Sequence, residues 1–145
     1  MSYTILCDIV SAERTLYSSP VKYIVAPSDQ GEVGIFPGHA PLLTLLKSGS
    51  ARLVKEDGSE ELLYISGGFM EVQPHRVILL ADFAERAGEL DEAEALAAKQ
   101  HAEEHLGSSG NDLDHTRALK ELSEAVARLK VIEQNRKSVR FVDKK

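Results

Sequence analysis

The chain changes its sequence grammar once, at Arg86-Ala87-Gly88, and that change limits its fold more than any other feature. Residues 3–83 read as short strands. "YTILCDIV", "VKYIVA", "ARLVK", "ELLYIS", "FMEVQ" and "RVILLAD" are rich in β-branched, leucine and aromatic residues, with turn residues between them. Glu56-Asp57-Gly58-Ser59 reads as a hairpin turn, and Pro74-His75 as a second one. Ser66-Gly67-Gly68 predicts a bulge or a sharp corner between "ELLYIS" and "FMEVQ". Many short strands with frequent turns predict a β-sandwich or barrel over residues 1–87.

Residues 88–145 obey helical rules. "ELDEAEALAAKQHAEEHL" at 89–106 is dominated by alanine, glutamate and leucine. "GSSGN" at 107–111 is a turn, and Asp112 or Asp114 is placed to cap a second helix running to about residue 138. Leu119, Leu122, Val126, Leu129 and Ile132 recur at spacings of three and four, which predicts one buried face. Leu90, Ala93, Ala97 and Ala102 are the expected inner residues of the first helix. A five-residue link makes the two helices an antiparallel pair. Two alanine-rich helices bury little apolar area, so this hairpin is only marginally stable alone and suits an element that moves.

The net charge of −6 opposes general nucleic-acid binding, which needs a basic surface. No apolar run approaches the roughly 20 residues that span a bilayer, and the N-terminus lacks the pattern of a secretory signal. The single cysteine, Cys7, excludes an internal disulfide and a cysteine-based zinc site, which points to a reducing cytosol. Charge is uneven along the chain. Glu89, Asp91, Glu92 and Glu94 make the start of the first helix acidic, whereas residues 128–145 hold seven basic and two acidic residues. Dipole complementarity accounts for such a pattern, and so does a basic tail that meets an acidic protein surface.

Catalytic patterns are missing. No GxxxxGK[ST], GxGxxG or GxSxG run occurs. Cys7 sits inside an apolar strand and reads as a small core residue. His101 and His105 share a helix face at a spacing that could hold a metal, but HExxH is not matched and no third ligand is evident, so a solvated face is expected. His75 is a turn residue, and Ser66-Gly67-Gly68 reads as a structural corner before an anion-binding nest. Glu32 and His39 lie in "GEVGIFPGHAPLLTLLKSG" at 31–49 with no partner placed to complete a triad. The apolar run after His39 looks like surface made to be buried. The residues therefore predict a non-catalytic β domain with an interaction loop and a helical hairpin.

Those same residues resemble a known family. "GEVGIFPGHAPLLTLLKSG", "YISGGFMEVQPHRVILLAD", "LDEAEALAAKQHAEEHL" and "ALKELSEAVARLKVIE" follow, in order, the signatures of the epsilon subunit of bacterial F-type ATP synthases. The resemblance covers nearly the whole chain. It implies an α+β chain in two parts, an antiparallel β-sandwich of about ten strands and a C-terminal two-helix hairpin. It implies a rotor subunit without catalytic residues, coupling the gamma subunit to the c-ring during proton-driven ATP synthesis. The complex would hold it at the cytoplasmic face of the bacterial plasma membrane. Glu32, His39, Pro41 and Leu42 would lie at the rotor interface. The hairpin would inhibit ATP hydrolysis, with Arg128, Lys130, Arg136 and Lys137 facing the beta subunits, beside alpha.

One departure concerns ATP. Some members bind ATP between the helices through [IL]DxxRA and further arginines, which makes the hairpin a nucleotide sensor. Asp91 and Arg128 retain parts of that pattern, but Glu94, His101 and Glu124 stand at its expected arginines. Glutamates repel a phosphate tail, so weak or absent ATP binding is expected, with no metal and no other cofactor. "RKSVRFVDKK" extends the basic helix and is the second departure.

Overall fold

The computed structural model describes the backbone of residues 3–108 and 110–143, and side chains as far as residue 137. The chain divides into two compact units, Met1–Ala87 and Gly88–Lys145. In the first, eight strands are present among the described residues: β1 (Ile5–Ser11), β2 (Thr15–Val21), β3 (Tyr23–Ser28), β4 (Gly31–Ile35), β5 (Leu42–Leu46), β6 (Gly49–Val54), β7 (Glu60–Gln73) and β8 (Arg76–Arg86). They form a β-sandwich, hydrogen-bonded in the order β2-β1-β8-β7-β5-β3-β4, with β6 between β3 and β7.

The long hairpin β7–β8 is the spine of this unit. Pairing runs in one constant register from Gln73–Arg76 to Leu63–Arg86, closed by the two-residue turn Pro74-His75. "ELLYIS" and "FMEVQ" are thus one strand rather than two. Its first half pairs with β6 and its second half with β5. The expected corner falls between these halves, at Gly67 (φ 70°) and Gly68 (φ 115°). A Cβ on Gly68 would meet the Leu80 carbonyl oxygen at 2.0 Å, so the strand crosses β8 here only without a side chain. A Cβ on Gly67 would lie 2.7 Å from an Asp82 carboxylate oxygen. A carboxylate at that place opposes an anion nest.

The core draws on both halves: Ile5, Cys7 and Ile9 from β1, Ile24 from β3, Leu53 from β6, Met70 and Val72 from β7, and Val77 and Leu79 from β8. All its members lie between residues 5 and 84, so the sandwich closes its own core. Alternation along β1 buries residues 5, 7 and 9. Asp8 points the other way, yet it is only 7% exposed. The Ser18 hydroxyl donates to it at 2.5 Å, and Arg76 donates through Nε at 2.9 Å and Nη2 at 2.6 Å. These contacts join β2 and β8 to β1. First the Ser18 hydroxyl and then the Arg76 guanidinium hold the Asp8 carboxyl below its ordinary value, against partial desolvation.

β2, β4 and β5 were not evident in the sequence. β4 and β5 lie inside the glycine- and proline-rich segment at 31–49, which is therefore two strands joined by residues 36–41 rather than one loop. Pairing with β3 on one side and β7 on the other outweighs the composition.

The second unit holds α1 (Glu92–Ser108) and α2 (Asp112–Asp143) after a 3-10 turn at Ala87–Glu89. Asp91 caps α1, since its carboxylate accepts the Glu94 amide at 3.2 Å. Asn111, rather than Asp112 or Asp114, caps α2, accepting the Asp114 amide at 2.8 Å. The buried residues match expectation at Ala102 and Ile132 and differ elsewhere. Ala95 and Ala102 are buried on α1, where Ala93 and Ala97 are exposed, and Ala118 and Ala125 are buried on α2, where Leu119 is exposed. Both pairs are seven apart, two helical turns. Small side chains at that spacing let the backbones approach, which excludes the larger Leu119 from the seam. The end of the basic tail, Lys144 and Lys145, lies outside the described residues, as does the Arg140 side chain.

Two outcomes follow from this geometry. Gly68→Ala, with a Cβ against the β8 backbone at positive φ, lowers the unfolding free energy of the sandwich by about 3 kcal/mol or more, read from urea denaturation. The Asp8 contribution is fully present above its unfolded pKa of about 3.9 and disappears as pH falls through its lower folded value. The stability gap between the native chain and Asp8→Asn is therefore widest above about pH 5 and narrows below about pH 4, as measured by denaturation at several pH values.

Candidate functional site: a docking face and a charged hairpin

Residues 36–41 are held from several sides. The Gly38 amide donates to the Pro74 carbonyl at 2.7 Å, tying this loop to the β7–β8 turn. The His39 amide donates to the Phe36 carbonyl at 3.2 Å. Phe36 stacks on Tyr23 with ring centres 4.6 Å apart, and the Arg52 guanidinium lies 5.9 Å from the Tyr23 ring centre. His39 Nδ1 is 2.7 Å from the Ala40 carbonyl oxygen. A carbonyl only accepts, so Nδ1 carries the proton and Nε2 is the acceptor of the neutral ring. This is a preorganised loop, and a partner that docks on it costs little ordering entropy.

The predicted interface residues fall in two places. His39, Pro41 and Leu42 lie by the β7–β8 turn, since Leu42 pairs with Val72. Glu32 is exposed at the other end of β4, opposite Pro27 on β3. Leu42 packs against the core, and the next residue, Leu43, is 70% exposed.

Alternation along β5 creates a surface that sequence reasoning missed. Leu43 and Leu45 face outward, and Leu45 pairs with Phe69, Phe69 with Leu80, and Leu80 with Val10. Leu45, Phe69 and Leu80 are each about half exposed. Four adjacent strands thus display one apolar row on their outer face, with the Asp8–Arg76 ion pair on neighbouring register positions. An apolar row of this kind marks a surface that another protein covers. A strand with leucine on both faces shows no period-two pattern, so "LLTLL" hid its two roles.

On the hairpin, Arg136 in the C-terminal part of α2 pairs with Glu92 at the start of α1, as an antiparallel pair of helices requires. Glu92 pushes the Arg136 pKa up further. Lys137 pairs with Glu133 at 3.5 Å, Lys130 is exposed, and Arg128 is half-buried. At about 100° per residue, Lys130 and Lys137 share a face, whereas Arg128 lies about 160° from Lys130. The basic residues therefore do not form a single stripe. Asp91 is engaged as a helix cap. Arg128 lies about 12 Å along α2 from the Arg136 that meets the next residue, Glu92.

Cys7 is fully buried, and burial first, then the neighbouring Asp8, pushes its thiol up to about 12. It is an inert core residue. Among the described residues no helix is long and apolar enough to cross a membrane.

Comparison with known proteins places this geometry. The family described as ATP synthase, Delta/Epsilon chain, beta-sandwich domain matches residues 4–87, and the corresponding long alpha-helix domain matches residues 89–133. An ATP synthase epsilon chain of Nitrosococcus oceani is 52% identical over 139 residues, which cover 96% of this chain and 99% of that one. The fold recurs in a chain of the Euglena gracilis mitochondrial ATP synthase (OSCP/F1/c-ring), with TM-score 0.79 and 21% identity over 86% of this chain and 79% of that one. It recurs again in the central stalk/c-ring structure of the Tetrahymena thermophila mitochondrial ATP synthase, with TM-score 0.59 and 14% identity over 88% and 96% of the two chains. A sandwich with a displayed apolar row, followed by a capped helical hairpin, and a relative matched almost end to end, lead to one conclusion: the chain belongs to the ATP synthase epsilon chain family.

Proposed function

We propose that this chain is a non-catalytic rotor subunit that joins gamma to the c-ring and restrains ATP hydrolysis through its hairpin. The observation that carries the docking half is the apolar row Leu45, Phe69 and Leu80, flanked by Leu43 and by the pinned loop at 36–41. Burying such a row on a partner is favourable at roughly 25 cal/mol per Å². A rigid loop and a hydrogen-bonded sheet also transmit torque without first taking up slack. Gamma takes the apolar row and the His39–Pro41 end, and the c-ring takes the Glu32 end. These two regions occupy different parts of the sandwich, as a coupling between two partners requires. The related structures are of assemblies named for the c-ring and the central stalk, which supports this choice of partners. Membrane association then comes through the complex, at the cytoplasmic face of the bacterial membrane.

The regulatory half rests on the hairpin. Its seam combines alanines with the larger Val131 and Ile132, so modest apolar burial opposes a change of state. Arg128, Lys130, Arg136 and Lys137 are the residues that meet acidic segments of the beta subunits, beside alpha. Arg136 must leave Glu92 to do so, so an intramolecular ion pair competes with the inhibitory contact. Exposed pairs of this type contribute about 0–1 kcal/mol and are screened by salt. ATP sensing is weak or absent in this reading, because Asp91 serves the α1 cap and Glu94 carries the wrong charge.

ATP hydrolysis by an epsilon-depleted catalytic head tests the proposal. Full-length chain and residues 1–87 both bind the head, and only the full chain slows hydrolysis. Failure of both to bind overturns the rotor reading, and binding of both without inhibition overturns the hairpin's role. Arg136→Glu with Lys137→Glu keeps binding and loses most of the inhibition at low salt. Equilibrium dialysis returns no more ATP on the full chain than on residues 1–87; saturable retention by the full chain would instead support the sensor alternative.

A further inference from the structure

We infer that α1 carries a two-histidine clamp for a first-row divalent metal ion, formed by His101 and His105. Their rings lie on the same side of the helix with centres 5.0 Å apart and planes inclined by 30°. Both residues are exposed. A zinc–nitrogen bond of about 2.1 Å, with the ring centre about 1.1 Å further out, separates two ring centres by about 4.5 Å at a right angle and about 5.2 Å at a tetrahedral angle. The observed spacing falls between these limits, so the two rings already stand at the separation that a shared metal ion requires. Imidazole pairs suit zinc, nickel and copper, with copper the tightest in the usual order.

The surroundings set what the clamp can do. His101-Ala102-Glu103-Glu104-His105 reads H-x-x-E-H, an order in which some zinc hydrolases carry two ligands and a base. Such an enzyme needs a third protein ligand. Among the described residues no group of three His, Cys, Asp or Glu side chains could hold a metal. Water therefore fills the remaining positions, and the site is an exchangeable chelate rather than a hydrolytic centre. The nearest ion pair, Lys99 with Glu103 at 4.0 Å, leaves both imidazoles uninvolved. The chelate spans one helical turn close to the C-terminal end of α1, so a bound metal opposes unwinding there. This consequence does not depend on what the hairpin regulates.

Calorimetric titration of the tag-free, chelator-stripped full chain with nickel or zinc chloride tests the clamp. One ion per chain is expected, with a dissociation constant in the micromolar range. His101→Ala and His105→Ala each weaken binding by at least the roughly tenfold that loss of even an outer-shell partner brings, whereas His115→Ala leaves it unchanged. Alanine is a stronger helix former than histidine, so both variants keep α1, which far-ultraviolet dichroism verifies. Nickel also slows amide exchange over residues 101–108 of the native chain and not of either variant. Absence of binding by the native chain, or equal binding by the double variant, overturns the inference.

Discussion

The sandwich depends on β7 and β8 staying paired in one register through a corner. The two strands carry the turn, contact β1, β5 and β6, and supply Leu63, Ile65, Met70, Val72, Val77 and Leu79 to the core. Gly68 makes this possible, because only a residue without a Cβ fits where β7 crosses the β8 backbone, and Gly67 beside it holds a positive φ. Had the strand broken at that point, β5 and β6 would have lost a common partner, and the apolar row would have lost its central residue, Phe69.

That row shows how one architectural decision serves function. The same alternation that sends Leu46, Met70, Val72 and Leu79 inward sends Leu45, Phe69 and Leu80 outward. The sheet thus pays an exposure penalty on one face. Buried by a partner, the row becomes favourable, and the free subunit and the assembled one are stable for different reasons. Beside the row, Asp8 on β1 accepts from Arg76 on β8 and from Ser18 on β2, which stitches these three strands together without adding to the apolar surface.

The hairpin follows opposite rules. Its caps, Asp91 and Asn111, fix where each helix starts, and its alanine seam fixes how closely the helices approach. Neither feature contributes much apolar burial. Charges then have unusual weight: Arg136 with Glu92 and Lys137 with Glu133 are interactions of a size that an acidic partner or a change of salt can replace. A closed core in the first unit and a lightly held second unit fit the proposed division, with one part docked while the other changes state.

Much of this was legible in the residues. The boundary at Ala87–Gly88, five of the eight strands, both hairpin turns, the corner at Gly67-Gly68, the buried Cys7 and the two helices all follow from local propensity and turn chemistry, which act over a few residues. Three strands did not. Composition at 31–49 suggested a loop because glycine and proline dominate it, and long-range pairing with β3 and β7 decided otherwise. The helix seam was read correctly at Ala102 and Ile132 and misplaced elsewhere for a similar reason: leucine spacing alone selected Leu119, but close packing of two backbones selected Ala118 and Ala125. At the candidate site, the sequence by itself determined a stiff glycine- and proline-rich stretch with His39, followed by an apolar run. Only the tertiary structure decided which of those leucines face outward, because facing depends on strand register, and register depends on partners far away in the chain.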